Sequence, residues 1–290
     1  SFPNSTEQAL YTIHHAGGET TIAVNQTMGG GTWIYLGNFK FTAHEQAHER
    51  IVLTNQSNKS GKIITADAIK IGGGMGNIAR SPLESPYPIE AETSGYPRFT
   101  EAARYWLQWA GIPDSIYSKS TFRNDYQDDI YARPRWVNYL KEQTHIPIDM
   151  AFAFHSDAGT TPDDSIIGTL GIYMSKSNDG IYTNRKSREI ARDLTDMIQT
   201  QILSDVRKVY NPQWSRRGMW NQSYIEARIP DVPTMLLELL SHQNFADMRY
   251  GLDPRFRFLI CRAIYKGMLR YICFQNKQEP IVQPLPPDRL

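Results

Sequence analysis

The segment "MAFAFHSDAG", residues 150–159, runs apolar and then ends in an imidazole, a hydroxyl and a carboxylate before turning on glycine. Open α/β sheets bind ligands outside the carboxyl ends of their strands. His155, Ser156 and Asp157 therefore stand where such a sheet does its chemistry. His155 has three readings there: a metal ligand, a base, or an interior residue that bonds backbone. The stronger anomaly is Glu238 in "PTMLLELLSHQN", a carboxylate between Leu237 and Leu239. Burying it is costly unless it is paired or protonated. On a half-exposed strand, alternation simply turns it to solvent. On a strand covered on both faces it becomes a general base with a raised pKa.

On neighbouring strands, His155 and Glu238 would share one sheet tip. An imidazole can bind zinc, and a nearby glutamate can activate metal-bound water. The donor count falls short, because a catalytic zinc takes three protein ligands and the pattern HExxH is absent. His242, just beyond Glu238, is the evident extra candidate. His14, His15, His44 and His48 fall in a β-rich stretch, and His145 in the loop before the strand. Arg216, Arg217 and Trp220 in "WSRRGMWNQSYIEAR", with Arg228, could frame a groove for peptide carboxylates, or form an ordinary exposed loop. Asp163 and Asp164 read as a polar loop. Trp33 and Tyr35 either stack on sugar or belong to a core.

The elements that must hold these residues change in texture along the chain. Up to about residue 74, short β-branched and aromatic runs such as "ALYTIHH", "TTIAVNQ", "GTWIYLGNFKF", "ERIVLTNQ" and "KIITADAIKI" alternate with Gly and Asn clusters, which reads as an all-β sandwich or barrel. "GGGMGNIARSPLESPYP" breaks the pattern, so the domains are read as 1–74 and 75–290. Beyond it, "PRFTEAARYWLQWAG" has helical spacing and a glycine stop. "DMAFAF", "IIGTLGIYM" and "TMLLELL" read as strands covered on both faces. "SREIARDLTDMIQTQILSDVRKVY", capped by Ser187, and "DPRFRFLICRAIYKGMLRYICF", started by Asp253 and Pro254, read as long helices. Strands alternating with helices argue an α/β layer structure. "EPIVQPLPPDRL" reads as an extended end.

Composition bounds the function. Basic and acidic side chains nearly balance, 31 against 30, so no field attracts nucleic acid or an anionic membrane. Apolar residues make up 40% and charged ones 21%, a globular rather than disordered balance. No apolar run is long enough to span a membrane. "SFPNSTEQALYT" carries neither Met nor a secretory pattern, and the expectation is a processed chain. Cys261 and Cys273 fall in one helix, about 18 Å apart by helical rise. They are expected to be two buried thiols beyond disulfide reach.

"FAFHSDAG", "ARIPDVPTMLLELLSHQNFAD" and "RFRFLICRAIYKGMLRYI" together resemble the zinc-dependent N-acetylmuramoyl-L-alanine amidases that trim bacterial peptidoglycan. The resemblance implies that His155 is a zinc ligand, with Asp157 standing where the family has Asn. It implies that Glu238 is catalytic, within a motif followed through Pro233, Ser241 and Asn244, and that Ala263, Ile264 and Gly267 belong to the family's closing helix. Ser241, His242, Asp157, Arg217 and Arg228 are the supporting or substrate-binding candidates. "YTIHHAGGETTIAVNQTMGGGTWIYLGNFKFTA" is similar to the golvesin C-terminal-like β-sandwich, a module inserted into amidase-like domains of Bacteroidota surface proteins often labelled xanthan lyase.

The implied architecture is an α/β amidase-like domain, a sheet covered by helices, preceded by part of an all-β sandwich. The implied function is zinc-dependent hydrolysis of peptidoglycan, with residues 1–74 as an accessory binding module. The alternative is a non-catalytic envelope scaffold with a degenerate amidase fold. The family's other zinc ligands, a His and a Glu, have no counterpart here, and Glu101 only mimics one. One Zn2+ is therefore expected with its remaining ligands outside this chain, on an associated N-terminal fragment of the same precursor. The implied partner is peptidoglycan or another cell-surface glycan, and the implied location is the bacterial cell envelope or the exterior.

Overall fold

The computed structural model describes residues 4–31, 33–42, 48–57, 59–72, 96–158 and 165–283. The chain divides into two compact units, Ser1–Pro147 and Ile148–Leu290. The crossing read at 74/75, His44 and the loop carboxylates Asp163 and Asp164 lie outside the described residues.

In the first unit, β1 (Ala9–His15) pairs antiparallel with β2 (Gly18–Val24) and with β3 (Arg50–Leu53), in the order β2-β1-β3. The alternation of β1 explains its place in the centre, since Ala9 and Ile13 are buried while Leu10 points outward. The runs 33–42 and 62–71 read as strands but join no ladder, apart from a bridge between Ser5 and Ile63. Ile34, Tyr35, Ile69 and Ile71 in them are exposed. Alternation becomes a strand only when a neighbour takes its N–H and C=O groups, and no described strand does so here. The same unit holds α1 (Ala103–Trp109), α2 (Asp114–Tyr117) and α3 (Asp125–Glu142). Asp125 accepts hydrogen bonds from Arg98 at 2.9 Å and from the Tyr105 hydroxyl at 2.7 Å, and pairs with Arg104 at 2.7 Å, so this buried carboxylate is fully compensated.

The second unit is a four-stranded mixed sheet in the order β4-β7-β5-β6. Its strands are β4 (Ala151–Asp157), β5 (Thr169–Tyr173), β6 (Arg216–Asn221) and β7 (Thr234–Ser241). β4 runs parallel to β7, β5 parallel to β6, and β5 antiparallel to β7. The helices are α4 (Ile190–Val209), α5 (Ile225–Arg228), α6 (Phe245–Gly251) and α7 (Pro254–Gln275). The expected N-terminus of α7 holds, because the Asp253 side chain accepts from the Arg255 N–H and Pro254 opens the helix. Ser187 accepts from Glu189 N–H, one residue ahead of α4, rather than capping it.

The main core forms where α4 and α7 pack together on the sheet. Leu194, Ile198, Ile202 and Val206 recur at helical spacing on α4 and meet Phe256, Ile260 and Ala263 of α7 and Met235, Leu237 and Leu239 of β7. Leu236 faces the other way, into a smaller cluster with Leu170, Ile172 and Ala153. Each fully buried side chain of this kind stabilises by about 1.5–3 kcal/mol. Coverage is less even than the sequence suggests. β4 is an edge strand, and Phe154 is 54% exposed. Both cysteines lie unbonded in α7, as expected, but Cys261 is exposed and only Cys273 buried, because the helix turns one toward solvent.

The α4–α7 contact explains Gly267. A Cβ there would lie 2.6 Å from Ile198 Cα and 2.9 Å from its Cγ1. Ala gains about 1 kcal/mol of helix propensity over Gly, but here it must push a backbone aside. Gly267→Ala is expected to destabilise by about 1–3 kcal/mol net, read as a lower urea midpoint with unchanged slope. A midpoint at or above that of the parent chain would show that the helices separate without cost.

Candidate functional site

β4 and β7 run parallel in a register that sets His155 directly beside Glu238. The register shifts between His155 and Asp157, so that Asp157 stands opposite Ser241. This irregularity at the strand tip turns consecutive polar side chains to different partners. The Asp157 carboxylate meets Arg217 of β6, Nη1 to Oδ2 at 2.6 Å. Ser156 Oγ and His242 Nδ1 are hydrogen-bonded at 3.0 Å, and the His242 N–H donates to the Asp157 carbonyl at 3.2 Å. The Ser241 hydroxyl donates to the same carbonyl at 3.3 Å.

Glu238 is the one strand residue of β7 that is not fully buried. Among the described residues its buried Oε2 has no hydrogen-bond partner. Burial pushes its carboxyl above the usual range. The positive field of His155 and Arg217 opposes the shift, while Asp157 and Glu226 add to it. A carboxylate in such a setting is poised to take up a proton.

Two residues that the sequence did not single out complete the arrangement. Glu226, on the single turn α5, sets Oε2 2.8 Å from His155 Nε2, and both side chains are largely buried, at 13% and 29% exposure. The loop after β7 is held by Asp247, which is fully buried and accepts from Ser241 N–H at 2.8 Å and Ile167 N–H at 3.0 Å. Burial raises the Asp247 carboxyl, and the backbone N–H groups of Ser241, Ile167 and Gly168 pull the other way. Its own N–H is capped by Asn244 at 3.1 Å. The Asn-x-x-Asp spacing in "NFAD" was the signal available for it. Glu226, in a polar connection, had none.

The structure therefore gathers His155, Asp157, Glu238, Arg217, Ser241 and His242 at one sheet tip. Arg228 closes α5 and is not among the charges that shift Glu238. Arg216 turns away from the tip to pair with Asp196 of α4 at 2.5 Å, since successive strand residues face opposite sides. In the first unit, Trp33 and Tyr35 line a cavity of about 1040 Å³ with Phe39, Phe41, Trp106 and Trp109. The Lys70 ammonium stands 5.6 Å from the Trp33 ring and 4.7 Å from that of Trp109.

A zinc ion does not fit the donors seen. Among the described residues no three His, Cys, Asp or Glu side chains are grouped to hold a metal, and His155 Nε2 is engaged by Glu226. His155 and the carboxylates near it, Asp157, Glu226 and Glu238, are not grouped as the three protein ligands of a catalytic site must be.

Residues 1–73 match the family model of the Golvesin C-terminal domain. No curated protein matches the chain. Among solved structures, the chain is similar to the N-acetylmuramoyl-L-alanine amidase from Clostridium difficile 630, at 17% identity and a TM-score of 0.37, over 60% of this chain and 80% of that one. It is similar to the CwlD amidase from Clostridioides difficile in complex with the GerS lipoprotein, at 14% identity and a TM-score of 0.41, over 70% and 95%. Ami1, the N-acetylmuramyl-L-alanine amidase from Mycobacterium smegmatis, aligns at 16% identity with a TM-score of 0.40, over 62% and 79%.

Proposed function

We propose that the Ile148–Leu290 unit carries the acid–base residues of an amide hydrolase of the N-acetylmuramoyl-L-alanine amidase type, acting on the bond between muramic acid and the peptide stem of peptidoglycan. The observation that carries this reading is Glu238, a carboxylate raised by burial whose Oε2, among the described residues, has no partner at the tip of the sheet. In the reaction, Glu238 takes a proton from the attacking water and passes it to the leaving amine. The Asp157–Arg217 pair fixes the rim of the site, and its guanidinium lies close enough to influence Glu238. The motifs around His155 and Glu238 supply the substrate class.

The zinc that the resemblance implies enters this reading only with ligands from polypeptide beyond the described residues, and the reading assigns them to an associated N-terminal fragment of the same precursor. The aromatic cavity of the first unit supports an accessory role in holding cell-surface glycan, since sugar faces stack on Trp and Tyr rings. Such a substrate places the protein in the bacterial envelope or outside the cell. No helix among the described residues is long and apolar enough to cross a membrane.

A second reading, a non-catalytic envelope scaffold, is favoured by one specific observation: no complete metal donor set is grouped among the described residues. The test is zinc content and hydrolysis on the protein as isolated, with any associated polypeptide retained. The hydrolase reading expects about one zinc per complex, lost in His155→Ala, together with release of new L-alanine amino groups from muropeptides. A folded complex that releases none, with or without added zinc, overturns it in favour of the scaffold.

A further inference from the structure

The chain leaves β7 through a loop tied down from within. Ser241, Asn244 and Asp247 are all fully buried. Asp247 accepts from the Ser241 N–H at 2.8 Å and the Ile167 N–H at 3.0 Å. Asn244 accepts from the Asp247 N–H at 3.1 Å, and its own N–H donates to the Ser241 carbonyl at 3.3 Å. Ala246 is buried and Met248 packs on the main core. Between these anchors stands Phe245, 75% exposed. A single exposed apolar side chain needs no explanation by itself. Buried polar side chains do, because each costs free energy unless its donors and acceptors are met. Here Asn244 and Asp247 fix the backbone on both sides of a phenyl that faces solvent. The loop also belongs to the sheet tip. Ser241 ends β7 three residues beyond Glu238, about 10 Å by strand rise. His242 ties the loop to β4 through Ser156 Oγ at 3.0 Å and the Asp157 carbonyl at 3.2 Å.

We propose that Phe245 is a specificity-determining residue: its ring is the platform on which the sugar of the substrate rests, beside the bond that is cut. The phenyl has no donor or acceptor, so what it recognises is an apolar face, and a pyranose offers one through its C–H groups. The stem peptide is the charged part of such a substrate and is matched by the Asp157–Arg217 pair. The uncharged sugar ring is matched by Phe245. Because the backbone around the phenyl is already fixed, the contact costs little further ordering. The choice of sugar as ligand rests on the hydrolase reading above.

The experiment uses the protein as isolated, with any associated polypeptide retained, and two soluble substrates. One is an N-acetylmuramoyl peptide; the other is the same peptide carrying D-lactate in place of the muramoyl group. In Phe245→Ala, KM for the muramoyl peptide is expected to rise about 3–10-fold, the equivalent of one lost ring contact, while kcat holds. KM for the lactoyl peptide should not change, and Phe245→Trp should restore the muramoyl value. An equal rise for both substrates puts the peptide on the ring and overturns the proposal. An unchanged KM for the muramoyl peptide, with the fold intact by circular dichroism, overturns it too. Calorimetric titration with the muramoyl peptide separates this result from the hydrolase reading. A parent chain that binds the peptide but releases no amine overturns the hydrolase reading alone, and weaker binding in Phe245→Ala then still upholds the platform. A parent chain that neither binds nor cleaves it overturns both.

Discussion

On the hydrolase reading proposed above, Glu238→Gln is expected to reduce muropeptide hydrolysis by about 10²–10⁴-fold, the usual contribution of a positioned general base, while leaving the protein at least as stable. Gln has nearly the shape of Glu and offers a hydrogen bond, but it takes up no proton. The two halves of the prediction share one cause. Burial raises the Glu238 carboxyl, so the folded protein binds that proton more tightly than the unfolded chain does. Its contribution to stability is fully present below the unfolded carboxylate pKa and is lost as pH rises through the folded one. At neutral pH the ionised side chain is therefore a cost, and Glu238→Gln removes it.

The thermal midpoint of the variant should exceed that of the parent chain at pH 7, with the difference closing in acid. The activity of the parent chain should fall with decreasing pH on a limb that lies above the ordinary carboxylate range, because protonated Glu238 is no longer a base. Full activity in the variant would remove Glu238 from the mechanism. Equal midpoints across the pH range would mean that the carboxylate is solvated. The pattern in which a site residue costs stability is the familiar trade between activity and fold.

Trp214→Ala carries the largest expected loss of stability, about 3–5 kcal/mol. The indole is fully buried, packed 5.3 Å from the Tyr250 ring and 5.5 Å from that of Phe256, centroid to centroid. Its Nε1–H donates to Thr169 Oγ1 at 2.9 Å, and the Thr169 hydroxyl in turn donates to the Leu239 carbonyl at 2.9 Å. Truncation thus opens a cavity and strips a partner from the threonine that ties β5 to β7 beside Glu238. Trp214→Phe keeps most of the packing and loses the N–H, so it should cost less than the alanine variant, about 1–3 kcal/mol for the partner left unsatisfied. Urea unfolding separates these outcomes. A loss under about 1 kcal/mol for alanine would show that the aromatic cluster closes over the gap.

The sequence by itself was sufficient for the helices α4 and α7 and for three strands of the second sheet, while α3 and β6 went unread. Apolar spacing over α4, the Asp253–Pro254 start of α7, and the runs that became β4, β5 and β7 are local signals, and local chemistry decides them. It was also sufficient to mark Glu238 and His155, since a carboxylate among leucines and an imidazole at a strand tip are anomalous wherever the chain goes. What it left open was their surroundings. Whether Glu238 faced solvent or protein depended on which strands flank β7, and only the order β4-β7-β5-β6 answers that. The strand-like runs at 33–42 and 62–71 show the limit from the other side, because pairing is a property of two segments and alternation belongs to one. Glu226 is the clearest case. Nothing in "YIEAR" separates it from an ordinary surface glutamate, and it joins His155 only because α5 folds back over β7. A contact between residues seventy-one positions apart is set by sheet order and packing, which no local pattern encodes.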